Sequence, residues 1–439
     1  MSRKKRQDIT QVVDEKLCHS CGACYASCGH DSISYSETVG GYLFPNIDYE
    51  SCTNCGLCYD VCPGDHFTDY LKLQTTQDPF IGTILSTQVG KANDNDFFVN
   101  SQSGGAIAGL LQSLLDTQQI SAAVVVGMQT VDAPRSTVML VKTKEEILSA
   151  QKSKYSPTSI LALIPKLLKI EGKIAIVGLG CHIHGLENSL KVHKRLKDKI
   201  IKIGLICDRV MTTTAIDFLS QQATSKKVDK FIFRDKYNTS YPGDVTVKEQ
   251  DGTLQILPSQ NRMLMKDFFT PARCLLCFDK MNIYADIVVG DPHGVSDVDK
   301  VNGESLVIVR TGLGSQLIKN AVDSDYLSLR DASEKEAIKG QDINGKKRKW
   351  SANITMWKQM GRAIPDYPDE VLNNIVDVSD SELKKAESKI KQALLLDKYD
   401  SKEALLKAAS KYFAEEVHKY NLLKPARIVK QIIKKILRK

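Results

Sequence analysis

Two cysteine runs of identical spacing constrain this chain more than any other feature: Cys18-x2-Cys21-x2-Cys24-x3-Cys28 and Cys52-x2-Cys55-x2-Cys58-x3-Cys62-Pro63. Thiolates this close along one loop can wrap three corners of an iron-sulfur cube, while the more distant fourth reaches a neighbouring cube, as in bacterial two-cluster ferredoxins. On that rule Cys18, Cys21, Cys24 and Cys62 hold one 4Fe-4S cluster, and Cys52, Cys55, Cys58 and Cys28 hold a second. Gly22, Ala23, Gly56 and Leu57 between the ligands let the loops close on the inorganic sulfide. Zinc also binds paired Cys-x2-Cys, but two four-cysteine runs in this register favour clusters. Ile33 to Asp48, with Gly40-Gly41 at its centre, reads as a hairpin. The polar stretch Gln74 to Pro79 marks the end of a dicluster module over residues 10–75.

At 439 residues the chain is far longer than such a module, so most of its core lies elsewhere. No unbroken apolar run approaches the roughly 18 residues that span a bilayer. The basic start Met1-Ser-Arg-Lys-Lys-Arg6 is followed by polar residues and not by the apolar stretch of a secretory signal. The expected location is therefore cytoplasmic. There the thiol poise disfavours disulfides and leaves the twelve cysteines free for metal.

Past residue 80, short β-branched runs alternate with helical patterns. Ala122–Gly127, Ile174–Gly178, Ile201–Ile206 and Ile287–Gly290 read as strands; Ala106–Leu115, Ser159–Ile170 and Thr212–Gln222 read as helices. The expected fold is an α+β ferredoxin-like dicluster module, then an α/β domain over residues 80–335 with a mixed, partly parallel sheet, then a helical C-terminal extension over 336–439. In the extension Ser381–Leu395 and Ser401–Tyr420 carry helical periodicity, and the basic run Gly345–Trp350 interrupts it as a solvated face. Four cysteines remain: Cys181 and Cys207, each just past a predicted strand, and the pair Cys274-x2-Cys277. They could converge on a third cluster. Equally, Cys181 and Cys207 could be inert buried thiols, with the pair holding zinc or nothing.

The dicluster module, Gln102-Ser-Gly-Gly105, Lys152-Ser-Lys-Tyr155, Val177-Gly-Leu-Gly-Cys-His182, Ile206-Cys207, Arg273-Cys-Leu-Leu-Cys277, Ala285-Asp-Ile-Val-Val-Gly-Asp291 and Val307-Ile-Val-Arg310 together resemble the beta subunit of coenzyme F420 hydrogenase and dehydrogenase. Their order along the chain is also that family's order. The resemblance implies FAD, a third cluster at Cys181, Cys207, Cys274 and Cys277, and electron exchange between a reduced deazaflavin and cluster-bearing partners. The chain departs from the family where Gly180 and His182 flank Cys181, in place of Pro and Gln, and where Asp291 continues as Pro292-His293-Gly294. Relatives of this layout also occur in surface-polysaccharide gene clusters.

Ser103, Gly104 and Gly105 open an apolar helix, where backbone amides could hold a dinucleotide pyrophosphate; plain helix capping by Ser103 is the alternative. Lys154 and Tyr155 offer a cation and an aromatic ring for a phosphate and an isoalloxazine. His182 beside Cys181, and Asp291 with His293 past a strand end, are the candidate proton-handling groups. Such a chain would couple a two-electron flavin to one-electron clusters, working with a redox partner protein and an organic redox substrate. A non-enzymatic relay subunit is the competing reading. No Ser-His-Asp set, Walker motif or HExxH is present, and no nucleic-acid partner is expected. Lys424–Lys439 holds seven Lys or Arg and no acid, with apolar residues at 428, 429, 432, 433, 436 and 437. That stripe suits an anionic membrane surface at the inner face, or a partner helix.

Overall fold

A computed structural model of the chain describes residues 7–67 and 78–436, with side chains described through residue 422. Most of the boundary stretch Gln74 to Pro79 and the side chains of the basic tail stripe lie outside the described residues. In the N-terminal module β1 (Ile33–Glu37) and β2 (Leu43–Ile47) pair antiparallel, giving the hairpin expected around Gly40-Gly41. Each cysteine loop starts a short helix, Ala23–Ser27 and Leu57–Asp60, behind a glycine at positive φ, Gly22 and Gly56. The body is built on β3 (Ser86–Ala92), β4 (Ala122–Thr130), β5 (Pro134–Val141), β6 (Ile174–Gly178) and β7 (Ile200–Leu205). A separate antiparallel sheet follows, made of β8 (Val228–Asp235), β9 (Asp244–Glu249) and β10 (Leu254–Leu257), which no sequence pattern announced. The chain then returns to the large sheet with β11 (Ile287–Gly290), β12 (Ser305–Val309) and β13 (Leu327–Asp331).

The large sheet has the order β13-β3-β12-β11-β7-β6-β4-β5. Its centre is parallel, β11 on β7, β7 on β6 and β6 on β4, and both flanks are antiparallel. This is the mixed, partly parallel sheet expected from the sequence. Strands β6 and β12 are buried along their whole length because both faces are covered. Side chains alternate across the sheet: Ala123, Val125, Ala175, Val177, Ile201 and Ile203 join one apolar cluster, with the helix Ala106–Asp116. Val124, Ile174, Ile176 and Ile200 join another, and there they meet Cys21, Ala23, Ala26 and Val61 of the module. The module thus covers one face of the sheet.

Its seat is specific. The Leu161 amide donates to the Cys21 carbonyl at 2.9 Å, and the Ser159 hydroxyl donates to the Ser20 carbonyl at 3.1 Å. The hairpin tip reaches further: the Thr213 amide donates to the Gly41 carbonyl at 2.9 Å, and Asp397 of the extension accepts from the Gly40 amide at 3.1 Å and pairs with Lys16 at 2.8 Å. A side chain at Gly41, whose φ is +78°, would strike the Thr214 backbone.

Two expectations need correction. Ser159–Ile170 is not one helix but a 3-10 turn, Ile160–Leu163, followed by the short helix Ile164–Leu167. Pro165 at its first turn lacks an N–H and cannot extend an earlier helix through itself. The basic run Gly345–Trp350 does not interrupt the extension but lies inside the helix Ile343–Gln359. Only part of it is a solvated face: Arg348 and Lys349 are exposed, whereas Lys346 is 7% exposed and Trp350 1% exposed. Lys347 pairs with Asp78 at 2.6 Å and Arg348 with Glu382 at 2.7 Å. The two helices expected in the extension, found as Asp380–Leu395 and Lys402–Ile436, begin one residue from where periodicity put them. No helix among the described residues is long and apolar enough to cross a membrane.

The Trp350 indole N–H donates to the Leu276 carbonyl at 3.1 Å, and Asn353 donates to the Leu275 carbonyl at 2.8 Å, so this helix shapes the Cys274–Cys277 loop. Trp350→Ala is expected to lower stability by about 3–5 kcal/mol through the cavity it leaves, read as a shifted denaturant midpoint, whereas Trp350→Phe retains most of the packing and loses less.

Candidate functional site

All twelve cysteines are free thiols, and they fall into three groups in space. Cys18, Cys21, Cys24 and Cys62 are buried together. Burial pushes Cys18 up to about 12 and Cys21 to about 11, and it drives Cys24 and Cys62 well above the usual thiol value, with their neighbours in the set adding to the rise. Cys28, Cys52, Cys55 and Cys58 line a second pocket beside Asp8 and His30. Cys55 is exposed, so this pocket opens to solvent. Each of these two sets mixes three residues of one run with the last of the other.

The third group is Cys181, Cys207, Cys274 and Cys277. All four line one pocket, although they come from the ends of β6 and β7 and from the loop after Pro271. Burial raises all four thiols, Cys274 to about 11. Cys18 lines the same pocket, and Cys181 feels Cys21, so the third group adjoins the first. Among the described residues no three His, Cys, Asp or Glu side chains close on a point that would hold a single metal ion. Four thiols lining one pocket match the ligand number of a 4Fe-4S cube and of a four-cysteine zinc site alike.

Cations crowd this third pocket. Arg209 and Arg273 line it. Burial pushes the Asp208 carboxyl up, but Lys346, Lys266, Arg209 and Lys280 together outweigh that and hold it well below the carboxylate range. His182 also lines the pocket. Burial lowers it to about 4, and its Nδ1 accepts the Leu179 amide at 3.2 Å, so it is a neutral imidazole that caps its own helix.

Asp291 and His293 lie past the end of β11. Asp291 pairs with Arg234 at 2.6 Å, a buried contact, while His293 is 3.8 Å away with its ring mostly exposed. Burial pushes the Arg234 guanidinium down, yet Asp291 and Tyr155 outweigh it and raise it. Tyr155 also carries Arg262 over its ring at 4.7 Å. Two buried polar atoms here have no partner, Asp291 Oδ1 and Arg262 Nε. The group adjoins the third cysteine pocket, because the Tyr155 carbonyl accepts the Met211 amide at 2.8 Å while Ser156 and Val210 line that pocket. Arg234 and Arg262 carry no motif; β8 and the helix Ser259–Met265 bring them in.

The remaining expected residues are occupied otherwise. Gly105, not Ser103, is the N-cap of the helix Ala106–Asp116. A Cβ on Gly104 would meet the Gly90 carbonyl and the Ser305 amide, so this glycine serves close packing against β3 and β12. Lys236 donates to the Ser103 carbonyl at 2.7 Å. The Lys154 ammonium sits on the Ala150 and Gln151 carbonyls that end the helix Lys144–Ala150, and burial lowers it to about 7. A wide cleft of about 680 Å³ between Asn95–Asn100 and β8–β10 contains none of these groups. Chemistry, not size, marks the site.

Residues 17–65 match the model of a 4Fe-4S dicluster domain. Residues 87–165 match the N-terminal part, and 171–335 the C-terminal part, of the coenzyme F420 hydrogenase/dehydrogenase beta subunit. The chain is 25% identical over 316 residues to a subunit of the F(420)H(2) dehydrogenase of Methanosarcina mazei, covering 70% of this chain and 83% of that protein. It is 24% identical over 301 residues to coenzyme F420 hydrogenase subunit beta of Methanothermobacter thermautotrophicus, covering 65% of this chain and 99% of that one. A chain of the F420-reducing NiFe hydrogenase complex from Methanosarcina barkeri superposes with a TM-score of 0.50 at 18% identity, over 66% of this chain and 98% of its own, a likeness of fold.

Asp291→Ala should cost about 3–5 kcal/mol, because Arg234 is then left buried without its anion. The double variant Arg234→Met, Asp291→Leu is expected to recover much of that loss in a double-mutant cycle of unfolding free energies.

Proposed function

The chain belongs to the coenzyme F420 hydrogenase/dehydrogenase beta-subunit family, and on that premise we propose that it is an iron-sulfur flavoprotein oxidoreductase, passing electrons between an organic two-electron carrier of the coenzyme F420 type and a one-electron redox partner protein. The observation that supports this most is the order of the three cysteine groups. An exposed group at Cys55 is followed by a buried group at Cys18, and then by a group that shares its pocket wall with Cys18 and adjoins the Arg234–Asp291 cluster.

When bound, 4Fe-4S clusters supply one-electron carriers and FAD a two-electron acceptor at the inner end of the line. Cys52, Cys55, Cys58 and Cys28 would then hold the cluster nearest a docking partner protein, and Cys181, Cys207, Cys274 and Cys277 the one nearest the organic groups. The unpartnered Arg262 Nε and Asp291 Oδ1 are suited to hydrogen-bond a polar heterocycle or its phosphates. Tyr155 gives such a ring a flat neighbour. The Arg234–Asp291 pair fixes the carboxylate in place, and burial keeps competing water away. Gly104 packs against β3 and β12, and Lys154 caps the helix Lys144–Ala150.

The test is iron, acid-labile sulfide and flavin content of anaerobically purified protein, beside the Cys274→Ser, Cys277→Ser and Arg262→Ala variants. About twelve irons and one flavin are expected, from three four-iron clusters, with about eight irons in the double cysteine variant and lost flavin at unchanged iron in Arg262→Ala. Eight irons in every form with no flavin would leave a relay subunit that only wires a partner's active site to the outside.

A further inference from the structure

We propose that the Arg273 guanidinium is the shared counter-ion of the first and third cysteine groups, a positioning residue that raises the reduction potentials of the iron-sulfur groups held there. The inference rests on the three-cluster reading above. Arg273 is 1% exposed and among the largest fully buried side chains. Its Nε donates to the Gly64 carbonyl at 2.9 Å and its Nη2 to the Pro63 carbonyl at 3.4 Å. Its Nη1 is buried with no acceptor, and among the described residues no carboxylate pairs with it.

A buried cation without an anion is strongly unfavourable, and two backbone carbonyls do not neutralise it. The rings of Phe67 and Tyr367, 5.9 and 6.0 Å from the guanidinium carbon, offer it π faces but no net charge. The imidazoles of His19 and His184 nearby are neutral or cationic groups and cannot serve as its anion either.

Two sets of cysteines flank Arg273, and Asp208 and Asp279 line the same pocket without pairing with it. In sequence it adjoins Cys274 of the third group, and with Cys18, Cys181, Cys207 and Cys277 it lines one pocket. In space it clasps the turn after Cys62, the fourth ligand of the first group, whose Sγ accepts the Gly64 amide at 3.4 Å. Thiolate-bound iron-sulfur groups are anionic and gain one further negative charge on reduction. A fixed cation in the wall between two of them therefore favours the reduced form of both, whereas the group at Cys55 is not in contact with that pocket.

The test is dithionite titration followed by electron paramagnetic resonance on the full chain, as wild type, Arg273→Gln and Arg273→Lys, with iron counted in each. In Arg273→Gln the two inner groups should become harder to reduce, with at least a tenfold lower ratio of reduced to oxidised form at a fixed potential, about 59 mV for one electron. The exposed group should be unmoved, and Arg273→Lys should stay near wild type. If the neutral variant cannot retain iron at the inner groups while Arg273→Lys does, the charge requirement stands by assembly. Full iron with unchanged inner potentials in Arg273→Gln overturns the proposal, as does Arg273→Lys behaving like Arg273→Gln, which would mark a staple for the Pro63-Gly64 turn. A wild type with only eight irons would instead sink the three-cluster reading, leaving the effect on the first group to be read separately.

Discussion

The seating of the first cysteine loop on the sheet is the contact from which the rest of the molecule follows. One backbone hydrogen bond, from the Leu161 amide to the Cys21 carbonyl, fixes the loop edge-on to the turn Ile160–Leu163. Gly22 allows the approach: its φ of +95° suits glycine, and a Cβ there would lie 2.6 Å from the Ala162 amide nitrogen. With that loop in place, Cys18 faces the pocket at the carboxyl ends of β6 and β7, and two cysteine groups distant in sequence become neighbours. Parallel strands gather loops at those ends, which explains why Cys181, Cys207 and Asp291 all follow strands of the parallel centre.

Gathering thiols into the interior at the first and third groups brings an electrostatic problem, and cations from several layers of the chain surround the third pocket. Arg273 comes from the loop that carries Cys274, Lys346 from the extension, and Lys266 and Arg209 from the segments between. The extension is therefore more than an appendage. Trp350 and the Tyr367 hydroxyl both donate to the Leu276 carbonyl, so the Cys274–Cys277 loop is moulded from outside the domain that encodes it. One apolar cluster runs from Tyr42 of the module through Phe278 to Trp350, Ile390 and Leu405.

The second site feature, at the end of β11, combines a satisfied pair with unsatisfied atoms. Arg234 and Asp291 bond to each other, yet Asp291 Oδ1 and the neighbouring Arg262 Nε are buried without partners. Folded proteins seldom leave such atoms alone. A polar ligand would complete them, whereas the glycines at 104 and 105 are already filled by backbone packing.

Spacing along the chain determined the two N-terminal groups, because ligands three residues apart on one loop need no tertiary information to be counted. It also determined the parallel centre of the sheet, since doubly covered strands such as Ile174–Gly178 and Ile287–Gly290 must be apolar throughout. Short-range patterns could not reach further. The convergence of Cys181 and Cys207 with Cys274 and Cys277 depends on β7 lying between β6 and β11, and strand order leaves no trace in local periodicity. The same holds for Lys346: its basic neighbours read as a solvated run, and only the packing of Trp350 into the core turned that lysine inward towards Asp208. Residue type and spacing settled which side chains can bind iron and hold a sheet; tertiary structure decided which of them meet, because burial makes a charge select its partner across the fold, not along the chain.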